Sequence, residues 1–551
     1  MSQRRMAGQP VMIMGEDAQQ LRDRDAQEYN ISAARAVAEA VRTTLGPKGM
    51  DKMLVSSTGD VTVTNDGVTI LEEMDIDNPT AQMIVEVAKT QEDEAGDGTT
   101  TAVAVAGELL KLAQDLVEQN VHPTTIIRGF TDASEFARGE IDDVATQVDG
   151  DADRLRAVAE TAMTGKGAEA NKEVLADLVV SAVEAVTVEA EDGSRIADVG
   201  FIESGTEIGR GVEESELVHG AVIDKDPVHP DMPTDFDDAR VLLTLDPIEA
   251  GEADVDASVT VTDSSQIDAF LDAEEAELKE KVELLDDLGV DVVFAQKGID
   301  DVAHHYLKEA GILAVRRTKK SDMRFLKEVL GARVVNDLES ATEDDLGRGS
   351  IEYHEDTETF RIEGLDEDSH GVTMMLRGST SAVVDEMERG VEDALDVVAA
   401  AAGDGRIVSG GGAVEVELAT RLRDHADSVE GREQLAIEAF ADALELVPRT
   451  LAENGGLDPI DTLVDLRSAH DGGDVNAGLD VFSGEVVDSY DAGVVEPATA
   501  KQQAIASAAE AANLVLKIDD VLDAGEGDDD EGGPGGAPGG MGGMGGMGGA
   551  M

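Results

Sequence analysis

The chain has 551 residues, enough for about three or four domains, and no cysteine, which excludes disulfides, thiolate nucleophiles and Cys-based zinc sites. Its 119 acidic against 43 basic residues give a net charge of -76, and with no basic patch along the sequence nucleic acid is not an expected partner. The acidic residues are interleaved with apolar periodicity throughout, so they describe a solvated surface rather than disorder; self-repulsion of this size calls for salt, since the Debye length falls to ~3 Å at 1 M, and stability should fall in dilute buffer.

The nine histidines are scattered and show no His-Glu-x-x-His spacing. No run approaches the ~18 apolar residues of a membrane span. Arg4-Arg5 is followed by Gly8-Gln9-Pro10 and not by an apolar h-region. A cytoplasmic protein with no membrane partner is expected.

An apolar stripe through Leu21, Ile31, Ala34, Val37, Ala38, Val41 and Leu45 predicts a charged helix over 17–45, stopped by Gly46-Pro47. The stretch 61–70 alternates with period two around Asn65-Asp66-Gly67, a hairpin or strand-turn signal in which Asp66 suits the bend. After Pro79, helical period runs through Met83, Ile84, Val87 and Ala88, and again through Val103, Ala106, Leu109, Leu110, Ala113 and Leu116. The loop between them is Glu94-Ala95-Gly96-Asp97-Gly98-Thr99-Thr100-Thr101. Gly96 and Gly98 let the backbone turn, and Thr99 to Thr101 place hydroxyls and unpaired amides at a helix N-terminus, where the dipole favours an anion such as phosphate. Asp97 would repel that anion unless a cation lay between them, and Mg²⁺ accepts one or two carboxylates together with phosphate oxygens. The same residues also compose an ordinary turn with a threonine cap.

A third helix carries the pattern to Val144, so residues 1–148 read as almost wholly helical. Helices over 154–163 and 174–183 are separated by Thr164-Gly165-Lys166-Gly167, which is no Walker A loop because Glu160 stands where the upstream glycine is needed. From 218 to 372 buried strands at 241–245, 290–295, 312–315 and 372–376 alternate with helices at 265–288, 299–310 and 323–330, an α/β pattern. The acidic span near 246–280 mixes a loop with an amphipathic helix. Val384, Met387, Val391, Leu395 and Val398 then predict a helix with Asp393 off the stripe, facing solvent by default. Residues 406–414 give a strand end, Gly410-Gly411-Gly412 and a new helix, which again brings amides toward a phosphate. Helices follow to about 470, a hairpin-like stretch covers 475–490, and a last helix covers 498–516. Beyond Gly525 the acidic and then Gly-Gly-Met tail is expected to be disordered.

Five blocks in order carry a resemblance: Leu45-Gly-Pro-Lys-Gly-Met-Asp-Lys-Met-Leu54, Val63-Thr-Asn-Asp-Gly67, Gly96-Asp-Gly-Thr-Thr100, Val408-Ser-Gly-Gly-Gly-Ala-Val-Glu415 and Val495-Glu-Pro497. Together they resemble the signature sequences of group II chaperonins, specifically the archaeal thermosome subunits. Asp224-Lys-Asp-Pro-Val-His-Pro-Asp-Met-Pro233 and Gln296-Lys-Gly-Ile-Asp-Asp301 resemble that group's substrate-domain sequence and not the lid-dependent bacterial group. The extreme acidity departs from the family average and suggests a salt-adapted member.

The resemblance implies a multidomain α plus α/β fold. Residues 1–148 and 404–525 would form a helical equatorial ATPase domain, 149–217 and 373–403 an intermediate hinge domain, and 218–372 an apical substrate-binding domain with a built-in lid near 246–280, leaving 526–551 as the tail. It implies ATP and Mg²⁺ as ligands, admits K⁺, and implies a double ring of identical or paralogous subunits that encloses non-native proteins and promotes their folding by ATP hydrolysis. By position, Asp97 matches the Mg²⁺ ligand, and Gly98, Thr99 and Thr100, with Thr101 beside them, match phosphate contacts. Leu45, Gly46 and Pro47 match the loop beside the nucleotide; Gly411 and Gly412 the turn against ribose and phosphates; Asn476, Ala477 and Gly478 the adenine side; Glu496 the ribose contact. Asp66 and Asp393 match two aspartates around the γ-phosphate, Asp393 orienting or deprotonating the attacking water and Asp66 supporting water and metal. Lys166 matches a lysine that senses the γ-phosphate, and Lys48 and Lys501 are secondary candidates.

Overall fold

The structure, a computed structural model, describes residues 20–522 except 23, 57, 58, 60, 149, 167, 190–194, 251–263, 366–369 and 519. The 251–263 part of the expected lid and the whole 526–551 tail lie outside the described residues.

Five helices open the chain: α1 (Arg24–Arg42), α2 (Gly67–Glu73), α3 (Pro79–Ala95), α4 (Thr99–Glu118) and α5 (Pro123–Val144). Asn78 starts α3 by accepting hydrogen bonds from the Thr80 and Ala81 amides, with Pro79 supplying a first residue whose missing N–H costs nothing there. Gly96, left-handed at φ 64°, ends it. In α4 the run Ala102 to Gly107 is buried on every side, so this helix sits in the middle, packed chiefly between α1 and a helix from the far end of the chain, Ala498–Leu516.

Asn65-Asp66-Gly67 does not turn a hairpin. Strand Val61–Thr64 pairs back with Lys52–Val55, and Asp66 caps α2 by accepting from the Thr69 amide at 2.7 Å. The adjacent residues Ile70 and Leu71 decide the matter: both are buried, which one strand face could not achieve but a helix can.

Helices α6 (Ala152–Met163) and α7 (Lys172–Val186) follow, then a mixed seven-stranded sheet with α8 (Ser264–Asp287), α9 (Asp301–Ala310) and α10 (Lys320–Leu330). In that sheet Phe236–Thr244 lies parallel to Val292–Ala295, which lies parallel to Leu313–Val315. On its other side Phe236–Thr244 is antiparallel to Gly347–His354. Strand Val372–Gly378 is buried throughout, as expected, but it stays out of this sheet. It forms the middle of a separate three-stranded sheet, parallel to Ile202–Ile208 and antiparallel to Glu216–His219. A strand buried on both faces reads the same in any sheet, so its sequence carries no address.

Helix α11 (Ser381–Asp404) leads to strand Arg406–Ser409 and to α12 (Ala413–Ala426), α13 (Glu433–Leu444), α14 (Leu446–Asn454), α15 (Pro459–Asp471) and α16 (Ala498–Leu516). Arg406–Ser409 is sandwiched antiparallel between Thr146–Gln147 and Val495–Pro497, which stitches the end of the chain to its beginning.

Apolar burial falls into three cores. The first joins both ends of the chain, with Val41, Leu109 and Phe130 against Leu418, Phe440 and Ile505. Phe130 meets Phe440 edge-to-face at 5.9 Å, one of few ring pairs in a chain that is 3% aromatic. The second gathers Val241, Phe294, Leu326 and Phe360 around the large sheet. The third packs α6, α7 and α11 over Met374 and Leu376 of the small sheet. No helix among the described residues is long and apolar enough to cross a membrane.

Candidate functional site

A cavity of about 270 Å³ opens where the first and third cores meet. On one wall Gly98, left-handed at φ 82°, is the N-cap of α4 and supplies no side chain to the first-turn amides of Thr99, Thr100 and Thr101. On another wall Gly412, at φ 81°, leaves the N-terminus of α12 equally uncapped behind Gly411. Two bare helix N-termini facing one cavity form a cradle for an anion with several charges. A Cβ at Gly412 would come within 2.8 Å of Pro448, so the chain here also leaves no room for a side chain.

Asp97 bridges α3 and α4. Its Oδ1 accepts from the Gly98 amide at 2.6 Å, and its carbonyl accepts from Gln91 Nε2 at 2.7 Å, so the loop is fixed from both sides. Asp66 reaches the cavity from the start of α2, with Oδ2 engaged by its capping bond. Gly67 stands so close to Thr100 that a Cβ would lie 2.5 Å from its Oγ1.

Lys166 and Asp393 enter from the third core. Lys166, in the turn after α6, holds Asp393 of α11 at 2.5 Å. Asp393 therefore does not face bulk solvent; off its own helix's apolar stripe, it faces the cavity. Burial alone would lower the Lys166 ammonium, but the Asp393, Asp97 and Asp66 carboxylates outweigh it and keep the charge above its ordinary range. The turn presses on the opposite wall: a Cβ on Gly165, at φ +83°, would overlap the Pro47 backbone, and Asn65 Nδ2 donates to the Gly165 carbonyl at 3.1 Å. Leu45 and Gly46 line the cavity beside Pro47, with the Leu45 carbonyl held by Asn454 Nδ2 at 2.9 Å.

Glu496 lies opposite Val408 in the 495–497 strand and shares Lys501 with the buried Glu415. Asn476, Ala477 and Gly478 do not reach the cavity. Asn476 Oδ1 accepts from Ser409 Oγ at 2.9 Å, Ala477 is fully buried, and Gly478 backs onto Gly410. Their place on the wall is taken by the next residues, Leu479 to Phe482, because the hairpin turns its 479–482 end inward. Lys48 Nζ donates to the Val481 carbonyl at 2.9 Å and lies over the Phe482 ring.

Glu92 was not legible as a site residue. In sequence it belongs to the acidic run 92–94, which looks like a solvated helix face; in the fold its Oε2 accepts from Thr99 Oγ1 at 2.7 Å inside the cavity. Burial pushes its carboxyl up to about 7, helped by Asp66, Asp393 and Asp97 and opposed by the Thr99 hydrogen bond. Folded Glu92 thus keeps a proton that the unfolded chain releases near the ordinary value of 4.5. Its stabilising contribution is full below that value and is lost as pH rises to about 7. Glu92→Gln is expected to flatten the decline in thermal stability across that window in molar KCl, and an unchanged decline would assign it to another group.

Among the described residues no three His, Asp or Glu side chains form a ready-made metal cluster. Mg²⁺ takes one or two carboxylates and completes its shell with water and phosphate oxygens, and Asp97 beside the open α4 amides provides such a carboxylate. The donor set fits a metal-bound polyphosphate: an anion cradle, an ammonium opposite it, and carboxylates that require a cation between.

The TCP-1/cpn60 chaperonin family matches residues 37–526. The chain belongs to that family. This chaperonin is 68% identical over 538 residues, 97% of each chain, to thermosome subunit 2 of Haloferax volcanii. It is 64% identical over 532 residues, 96% of each chain, to thermosome subunit beta of Halobacterium salinarum. Its fold matches the open-state monomer of a group II chaperonin from Methanococcoides burtonii with a TM-score of 0.63 and 41% identity, covering 77% of this chaperonin and 100% of that chain. It is a group II chaperonin with the multidomain α plus α/β architecture, and its activity is ATP hydrolysis coupled to protein folding. The high acidity goes with haloarchaeal relatives and identifies a halophilic member.

Proposed function

We propose that this chaperonin binds ATP with Mg²⁺ in the cavity between its first and third cores and that hydrolysis there closes a chamber around non-native protein. The observation that supports this reading is that the cavity walls come from both units: the Asp97 loop and Gly411-Gly412 from one, Lys166 and Asp393 from the other. Chemistry that needs all four requires the two units to be closed on each other, and so turnover is coupled to movement.

The Thr99 to Thr101 amides and the α12 N-terminus hold the phosphates, and Lys166 offers its ammonium to the terminal one. Mg²⁺ on Asp97 would supply charge neutralisation for phosphoryl transfer to water. Lys166 is paired with Asp393 at 2.5 Å. A γ-phosphate competes for that lysine, which releases Asp393 to orient the attacking water and accept its proton while Asp66 supports water and metal. Leu45 to Pro47 and Leu479 to Phe482 flank the base, Glu496 receives the ribose, and K⁺ is a second cation candidate.

Residues 1–148 and 404–525 form the equatorial unit, 149–217 and 373–403 the hinge, and 218–372 the apical unit that grips clients. Subunits, identical or paralogous, form a double ring in the cytoplasm. Recovery of a denatured client enzyme in molar KCl is expected with Mg-ATP and not with ADP; equal recovery without nucleotide would overturn this reading.

A further inference from the structure

Behind the sugar side of the cavity lies a charge cluster that phosphate chemistry does not use. Lys501 Nζ, on the first turn of α16, lies 2.7 Å from Glu415 Oε1 and 2.8 Å from Glu496 Oε2. Lys501 and Glu415 are buried, at 7% and 3% exposure. Burial opposes the lysine's charge, but the two carboxylates more than restore it and hold the ammonium well above its ordinary range. Burial pushes the Glu496 carboxyl up, with Glu415 and Asp97 adding to the rise and Lys501 opposing it. The other Glu496 oxygen, Oε1, stands beside Gly410, where a Cβ would come within 2.8 Å of it. A glycine at that position leaves the oxygen uncrowded.

An ion pair and a buried second carboxylate are more than a staple between α16 and α12 requires, because a desolvated pair of this kind is weak as a source of stability and apolar residues of similar volume would serve as well. The arrangement does something apolar residues would not: it keeps a carboxylate ionised and fixed in rotamer at the wall of a site. We propose that Lys501 is a positioning residue for the nucleotide's sugar, clamping one oxygen of Glu496 so that the other remains a charged acceptor for the ribose hydroxyls. This rests on the reading of Glu496 as the ribose contact. Without Lys501, Glu496 is left beside the buried Glu415 with no ammonium between them, takes up a proton, and can no longer accept from both hydroxyls as a fixed anion. The expected consequence is a loss of discrimination at the sugar, since a charged acceptor favours a nucleotide with both hydroxyls over one that lacks the 2′ group.

Steady-state ATPase in molar KCl, with ATP and with 2′-deoxy-ATP, tests the proposal. Lys501→Met is expected to raise KM for ATP about tenfold while KM for 2′-deoxy-ATP and kcat for both change about twofold or less, and Lys501→Arg should restore the wild-type ratio. A purely structural role would move both substrates together. Glu496→Gln separates the two layers of the argument. If it abolishes the preference for ATP while Lys501→Met keeps it, the positioning role is overturned and the ribose reading stands; if Glu496→Gln itself keeps the preference, both fall. Should Lys501→Met fail to assemble, Lys501→Met/Glu415→Gln removes the most deeply buried carboxylate together with its lysine and still leaves Glu496 unclamped, and an unchanged ATP preference in that form equally overturns the proposal.

Discussion

Replacing Asp393 by alanine is expected to leave ATP binding within a few-fold of wild type and to lower kcat by about 10²–10⁴-fold, the range for loss of a positioned acid-base group. Asp393 comes from α11 and supplies none of the backbone amides at the uncapped α4 and α12 N-termini, so its removal takes no donor from the anion cradle. It does release Lys166, which keeps the Asp97 and Asp66 carboxylates as charge partners. Single-turnover ATPase alongside equilibrium nucleotide binding separates the two effects. Near-normal turnover in Asp393→Ala would reject its role at the attacking water.

Asp97→Asn should behave in the opposite way. The amide keeps the side-chain oxygen that accepts from the Gly98 amide at 2.6 Å, so the loop should hold its shape. What is lost is the charge that attracts a divalent cation. Mg²⁺-dependent ATP affinity should fall by about 100-fold or more, since loss even of a group supporting a metal ligand commonly costs 10–100-fold, and turnover should fall with it. Calorimetry with ATP in the presence and absence of Mg²⁺ checks this. If Asp97→Asn binds Mg-ATP as wild type does, the metal is held elsewhere.

Much of the site could be read from residue order because it is built from loops, and loops announce themselves. Gly96 to Thr101 and Gly410 to Gly412 each separate stretches of apolar helical or strand period, so the anion cradle was visible as two glycine turns before two helices. That they face one another was not, because no local pattern encodes the pairing of 406–409 with 495–497 across the chain; the family resemblance supplied it. Asp66 looked like a turn residue because Asn-Asp-Gly favours both tight turns and helix caps, and only the buried neighbours Ile70 and Leu71 distinguish the two. Asp393 looked like a surface charge because the apolar stripe of α11 says which face is buried in its own core and nothing about a second wall opposite. Glu92 was hidden for the same reason. Which end of the 475–490 hairpin meets the cavity is not encoded locally, since a hairpin's period fixes its strands but not which end turns inward: Leu479 to Phe482 line the wall, and Asn476 to Gly478 lie behind it.

The central claim is that chain segments far apart in sequence enclose one metal-bound triphosphate and that both mobile units must touch it. An electron-microscopy reconstruction of the assembled protein in molar KCl with Mg²⁺ and a non-hydrolysable ATP analogue tests this most directly. The account predicts phosphate density against the Thr99 to Thr101 amides and Gly411-Gly412, a metal on Asp97, and Lys166 with Asp393 at the terminal phosphate. Nucleotide density elsewhere, or a fully closed ring in which Lys166 and Asp393 remain out of reach of the phosphates, would contradict it.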